Sequence, residues 1–223
     1  MMKQLLILGL ICVLGACQSA EKTQAGPADK RLGFEYLPPL PDHVSAAPDS
    51  IYANAFKAWD GDWEGIFTIF EDTAGQRNAP VQPRIRDLEA LDSLELIVSN
   101  QIQVKQGYSS SDPFYQSVNI TDLVPDGKGK GTSFKSHGAN LIRGNELWCV
   151  VIKADETVVH TGTKEKGDVI IWERAIEGKT EYFYEEVKGD TYRIIGWGYY
   201  GEDDLTKAPK TWFFGEYRRK NTR

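Results

Sequence analysis

The chain is poor in cysteine and histidine, with three of each in 223 residues. Cys12 and Cys17 lie within the first seventeen positions, so the rest of the chain holds only Cys149 and can form no internal disulfide. Cys149 stands in the apolar run Leu147-Trp148-Cys149-Val150-Val151-Ile152, where a thiol is expected to be buried and unreactive. His43, His137 and His160 never bring two imidazoles onto one face, and neither His-x-His nor Cys-x-x-Cys occurs, so no metal site is expected. A Gly-x-Ser-x-Gly elbow and a Walker loop are also missing. Gly127-Lys128-Gly129-Lys130-Gly131-Thr132 lacks the spacing of a phosphate loop and reads as a flexible turn, so no cofactor is implied. Positive charge is in deficit: 26 Lys and Arg against 32 Asp and Glu, a net charge of −6, argue against nucleic acid or anionic head groups as partners. Helical periodicity is scarce, confined to Tyr52–Trp59 and a weaker stretch over Arg86–Leu91.

What is present begins at the N-terminus. Lys3 precedes an apolar run from Leu5 to Leu14, followed by Leu14-Gly15-Ala16-Cys17. A short basic region, an apolar core of about ten residues and small residues before a cut site describe a secretory signal, too short to span a membrane. The segment resembles the lipobox of bacterial lipoproteins. That resemblance implies removal of residues 1–16, acylation of Cys17 with palmitate-type chains, and residence in the cell envelope. Gln18, where an Asp would favour retention in the inner membrane, implies an outer-membrane anchor with the domain facing the periplasm. Removing the leader takes away Lys3 and no acid, so the mature chain is more acidic still.

Between Gln18 and Ser50 lie five of the ten prolines, Pro27, Pro38, Pro39, Pro41 and Pro48, mixed with alanine and charges. Such a composition builds no core and reads as a tether. The expected organisation is therefore a signal peptide (1–16), a lipidated tether (17–50) and one folded domain (51–223).

The folded part is all-β by pattern. Apolar and aromatic segments Glu146–Lys153, Thr157–Thr163, Asp168–Arg174, Thr180–Val187, Thr191–Tyr200 and Lys210–Arg219 are joined by links mostly too short for crossovers, so neighbours must pair antiparallel. Upstream, Trp63–Glu71, Glu95–Val104, Phe114–Ile120 and Ser133–Leu141 have strand composition, giving nine or ten strands in all. Hairpin order favours an antiparallel up-and-down barrel over a sandwich.

Gly61-Asp62-Trp63 opens the first strand after the amphipathic segment Tyr52–Trp59, and the last strand ends in Tyr217-Arg218-Arg219. This resembles the lipocalin and wider calycin pattern, which implies a calycin-like barrel whose floor is closed by a short N-terminal helix. Pairing the first and last strands brings an arginine over the Trp63 indole; Arg218 and Arg219 point to opposite faces, and either one is open to the role. Gln106-Gly107-Tyr108 and Asp112-Pro113-Phe114-Tyr115-Gln116 also resemble the calycin-type phycobilin lyases of the CpcT/CpeT kind, with Tyr115 where those carry arginine.

For function, the aromatic strands are the guide. Tyr182 and Tyr184 share one face, as do Arg193, Trp197 and Tyr199, and these residues are expected to line a cavity for a small apolar or amphiphilic ligand. Gly196 and Gly198 lie on the opposite face with Tyr192 and Tyr200. A rival reading is a lyase, isomerase or hydratase using His160 with Glu173 or another glutamate. A third is a structural or assembly lipoprotein with a filled barrel. Binding is favoured over catalysis, and a protein partner, which the third reading would need at the outer surface or loops, is left open.

Overall fold

The short links pair every strand with its neighbours, and the last strand returns to the first. The computed structural model describes residues 52–72, 96–125, 131–143, 146–154 and 156–220, within the unit His43–Arg223. Its strands are β1 (Gly61–Asp72), β2 (Leu96–Asp112), β3 (Tyr115–Pro125), β4 (Gly131–Arg143), β5 (Glu146–Ile152), β6 (Thr157–Glu165), β7 (Val169–Ile176), β8 (Lys179–Lys188), β9 (Thr191–Tyr200) and β10 (Thr211–Arg219). They close in sequence order, with β1 between β10 and β2, all antiparallel. Closure removes both sheet edges and rules out a sandwich. The leader, the tether and the weak helical stretch over Arg86–Leu91 fall outside the described residues.

Two elements differ from expectation. Tyr52–Trp59 forms turns ending in a 3-10 helix, Lys57–Trp59, not an α-helix. At Asn54 the backbone has φ 60°, a left-handed conformation that interrupts a regular helix and that asparagine tolerates. Strand β2 runs on past Val104 to Asp112 through the unpromising serines Ser109, Ser110 and Ser111, because β3 pairs with Ser109, Ser110 and Asp112 around a bulge at Ser111 and Asp60 accepts from Ser110 N at 2.9 Å and Ser110 Oγ at 2.7 Å.

The register assigns the two faces. Trp63 pairs with Arg219, Tyr217 with Tyr192, Ile194 with Glu185 and Ile170 with Glu185 in turn. Following this parity around the barrel places Trp63, Phe67, Ile102, Tyr108, Cys149, Trp172, Phe183, Glu185, Tyr192, Ile194 and Tyr217 inward, and most of these belong to one core cluster. Gly65, Gly138, Gly162, Gly196, Gly198 and Gly215 share that inner face. Their missing side chains leave room for rings: a Cβ on Gly196 would come within 2.6 Å of the Phe183 ring, one on Gly215 within 2.6 Å of Tyr217 Oη, and one on Gly162 closer still to Trp172. The rings thus lie back against the wall and turn their faces to the lumen.

Candidate functional site

The floor is sealed by the segment before β1. Phe56, Trp59 and Trp63 are buried at its centre, with Tyr192 meeting Trp63 edge-on at 5.6 Å and Trp59 at 6.4 Å. Trp63 Nε1 donates to the Trp59 carbonyl at 2.7 Å. Arg219 closes the stack from outside, its guanidinium 4.1 Å from the Trp63 ring centroid, while its nitrogens donate to the carbonyls of Asp60 and, at 3.0 Å, Ala58. Of the two candidates Arg219 reaches Trp63; Arg218 points out, to Thr191 and Glu216. Gly61, at φ 115°, occupies the turn into β1 where an added Cβ would meet Arg219.

A buried amide holds this floor in place. Gln116 Nε2 donates to the Phe56 carbonyl and to Asp60 Oδ1, both at 2.8 Å, and its Oε1 accepts from Asn140 at 2.9 Å. Burial would raise the Asp60 pKa, but bonds from Lys57, Ser110 and Gln116 outweigh it and keep the carboxyl below its usual range. The Tyr115-Gln116 pair, singled out in sequence for its likeness to lyases, here supplies a clamp in Gln116. Tyr108, from the other half of that likeness, faces the lumen.

Above the floor several inward apolar side chains are less completely covered. Phe67, Ile102, Ile120, Ile142, Cys149 and Phe183 all face inward yet are only partly buried, unlike Trp59, Trp63 and Tyr192 beneath them. At this level stands Glu185. Burial pushes its pKa up to about 7, against a smaller lowering by Trp172 and Tyr192. The Tyr192 hydroxyl meets no partner in hydrogen-bond geometry, so its influence is that of a nearby dipole. The Cys149 thiol is pushed far up by burial and by the Glu185 charge, which keeps it neutral.

Nearer the mouth the inner face turns polar. Tyr200 Oη donates to Glu181 Oε1 at 2.7 Å, His160 Nε2 lies 3.7 Å from Glu181 Oε2, and Arg174 bridges Glu181 at 3.5 Å and Glu156. Lys179 joins Glu156 at 3.5 Å. Burial opposes ionisation of Glu181, but His160, Tyr200 and Lys179 outweigh it and bring its pKa down to about 2. Such a carboxylate is a weak base. Glu173, the other sequence candidate beside His160, faces solvent on the far side of the wall, because it is out of phase with Trp172 and Arg174.

The remaining sequence candidates also face outward. Trp197, Tyr199 and Arg193 alternate with the inward Gly196, Gly198 and Ile194, so the register turns them away from the lumen they were expected to line. Trp197 packs with Tyr182 at 5.5 Å and Trp212 at 5.9 Å in a cluster of its own with Tyr199. The link from Gly201 to Lys210 folds onto that cluster, accepting from Tyr199 Oη at the Lys207 carbonyl (2.7 Å) and from Trp212 Nε1 at Pro209 (2.9 Å). Arg193 pairs with Glu186 at 2.8 Å, and Tyr184 packs on Val169 and Ile171. Both faces of β8 and β9 carry aromatics, so ring content alone did not separate inside from outside.

A shallow, solvent-open groove of about 400 Å³ also marks the outer wall, lined by Glu64, Ile66, Gln103, Lys105, Thr121 and Leu123. Its charges are already matched, Lys105 lying 3.1 Å from Glu64. Among the described residues no group of three His, Cys, Asp or Glu side chains is placed to hold a metal ion, and no helix is long and apolar enough to cross a membrane.

No family model matches the chain, and no curated protein matches it. Among solved structures it is similar to Rv2717c from M. tuberculosis, at 14% identity and a TM-score of 0.48 over 75% of this chain and 96% of that one. It is also similar to a redesigned beta barrel, at 10% identity and a TM-score of 0.34 over 76% and 97%. The class that the strand ladder defines is a closed, ten-stranded, antiparallel up-and-down barrel.

Proposed function

We propose that the protein binds a small, largely apolar or amphiphilic molecule inside the barrel while tethered to the outer membrane through an acylated Cys17. One observation carries the binding half: inward-facing apolar side chains in the middle of the barrel stay partly accessible above a floor that is fully closed. A filled barrel would bury Phe67, Ile102 and Phe183 as completely as Trp63. Ring faces lying against glycine, with a few polar groups toward the mouth, suit an apolar guest with one polar end. The residues that would meet it are those on the inner face, in place of Trp197 and its outer neighbours.

The anchoring half rests on the order of the leader, with the tether holding the domain in the periplasm. Metabolic palmitate labelling tests it: Cys17→Ser is expected to abolish the label and free the protein from the envelope, and undiminished labelling overturns it. For binding, the neutral dye N-phenyl-1-naphthylamine is expected to bind saturably and quench tryptophan emission. Ile102→Trp should then block the dye while leaving the fold intact, since a hollow lumen accepts the added ring. In a packed core the same change costs about 1–3 kcal/mol, and the wild-type protein binds no dye.

A further inference from the structure

Glu185 is out of keeping with its surroundings. It stands mid-strand on the inner face of β8, between Ile170 and Ile194, with Phe183 and Val187 as its nearest inward neighbours along the strand. The groups close enough to share its field are Tyr108, Cys149, Tyr192 and Tyr217, with Trp172 on β7. None is a cation, and no Lys, Arg or His among the described residues forms an ion pair with Glu185.

Among the described residues, the cations on the inner face of β6, β7, β8 and β10 are engaged elsewhere. Arg219 covers Trp63, Lys164 lies 5.4 Å from the Trp59 centroid and 3.8 Å from Asp168, and Arg174 and Lys179 are held by Glu156 and Glu181 at the mouth. The floor indoles thus carry the protein's own cations, whereas among the described residues no cation stacks on Tyr108, Trp172, Tyr192 or Tyr217. A carboxylate in an apolar lumen without a counter-charge is costly, and ring faces attract positive charge. The lumen is therefore matched to a positive guest and mismatched to an anionic one.

Resting on the lumen-binding reading above, we infer that the ligand is a cationic amphiphile, an apolar body with an ammonium group, whose ammonium seats on the Glu185 carboxylate among Tyr108, Trp172, Tyr192 and Tyr217. A neutral guest leaves the carboxylate without a counter-charge or forces it to take up a proton. An anion sets a second negative charge beside it. The tyrosine hydroxyls and the Cys149 thiol have raised pKa values and stay neutral through the physiological range, so Glu185 is the group of this cluster that titrates there.

The test is displacement of N-phenyl-1-naphthylamine from the whole chain, carrying Cys17→Ser so that no acyl chain competes. Dodecylammonium, dodecanol and dodecanoate share one tail and differ in head group. At pH 8 dodecylammonium is expected to bind about tenfold or more tighter than dodecanol, and dodecanoate weakest, as a charge-assisted bond in a dry site implies. Glu185→Gln should bring dodecylammonium down to dodecanol while leaving dodecanol unchanged. In the wild-type protein, which needs no variant to fold, lowering the pH from 8 to 5.5 should weaken dodecylammonium and spare dodecanol. Dodecanoate binding as tightly as dodecylammonium overturns the inference, as does an ammonium preference that survives Glu185→Gln or ignores pH. If dye and dodecanol bind without any ammonium preference, only this inference falls; if nothing binds, the lumen-binding reading falls with it.

Discussion

The floor and the lumen above it are built from the same strands and the same residue types, yet they are finished differently. At the floor, Trp63 is fully buried, its ring is covered by Arg219 and its N–H is bonded to Trp59, while Gln116 and Asp60 lock the closing segment to β2, β3 and β4. Four residues further along β1, Phe67 and Ile102 face each other across β1 and β2 with part of their surface still accessible, and among the described residues no cation forms an ion pair with Glu185. Stability is concentrated at one end of the barrel, and unsatisfied chemistry in its middle. A site whose groups are not satisfied by the fold itself is what a guest can satisfy.

The largest expected effect tests the sealed end. Trp63→Ala should cost about 3–5 kcal/mol in equilibrium denaturation, as truncation of a buried indole does. Ile102→Ala, in the open part, should cost less than about 2 kcal/mol because its surroundings are already partly accessible. A Trp63→Ala loss below about 1 kcal/mol, or equal costs at the two sites, erases the contrast.

Next in size is the pH response of Glu185. Its folded pKa of about 7 lies above the ordinary glutamate value of 4.5, so the folded state binds the extra proton between those values. Stability therefore falls as pH rises from about 4.5 to 7 and levels off above. Glu181 works the opposite way: its folded pKa is down at about 2, so its contribution is present above the unfolded value and is lost as pH falls toward 2. At pH 8, Glu185→Gln is expected to stabilise the protein by about 3 kcal/mol and to remove the slope between pH 5 and 7. A variant no more stable than wild type at pH 8 means that the carboxylate already has a partner.

Much of this architecture was legible in the residues. Short links such as Lys188-Gly189-Asp190 dictated antiparallel neighbours, and Gly61-Asp62-Trp63 with a terminal arginine announced how the floor would close. Facing was harder to read. In β9 both alternations, Trp197-Tyr199 and Tyr192-Gly196-Gly198-Tyr200, carry aromatics, because the outer cluster under the link Gly201–Lys210 is as apolar as the lumen. The parity was nevertheless within reach: once Arg219 covers Trp63, Tyr217 must point inward, and its partner Tyr192 follows. Gln116 was invisible as a clamp, since its three partners come from the closing segment and from β4, which only the closed barrel brings together.

The arginines at the end of β10 give a smaller, sharper comparison. Arg219 holds a cation–π stack and two carbonyls, so Arg219→Ala should cost about 1–3 kcal/mol. Arg218 is 69% exposed, and Arg218→Ala should stay within about 0.5 kcal/mol. Reversed costs would mean that β10 is shifted by one residue against β1, which would turn every inward residue of the strand outward.

The smallest change is expected at Cys149, where partial accessibility and a suppressed thiolate oppose each other. Its side chain faces the lumen and is partly accessible, so geometry permits a small reagent to reach it. Burial and the neighbouring Glu185 charge nevertheless withhold the thiolate, which is the reacting form. An anionic aromatic disulfide should therefore leave the native protein unmodified over hours and react fully once it is unfolded in urea, as followed by release of the coloured thiol. A neutral maleimide small enough to enter should label slowly at high pH, and saturating the lumen with dodecanol should slow it further. Fast native labelling by the anionic reagent would show a wall open to solvent at β5, and with it a lumen too wet to hold Glu185 near 7.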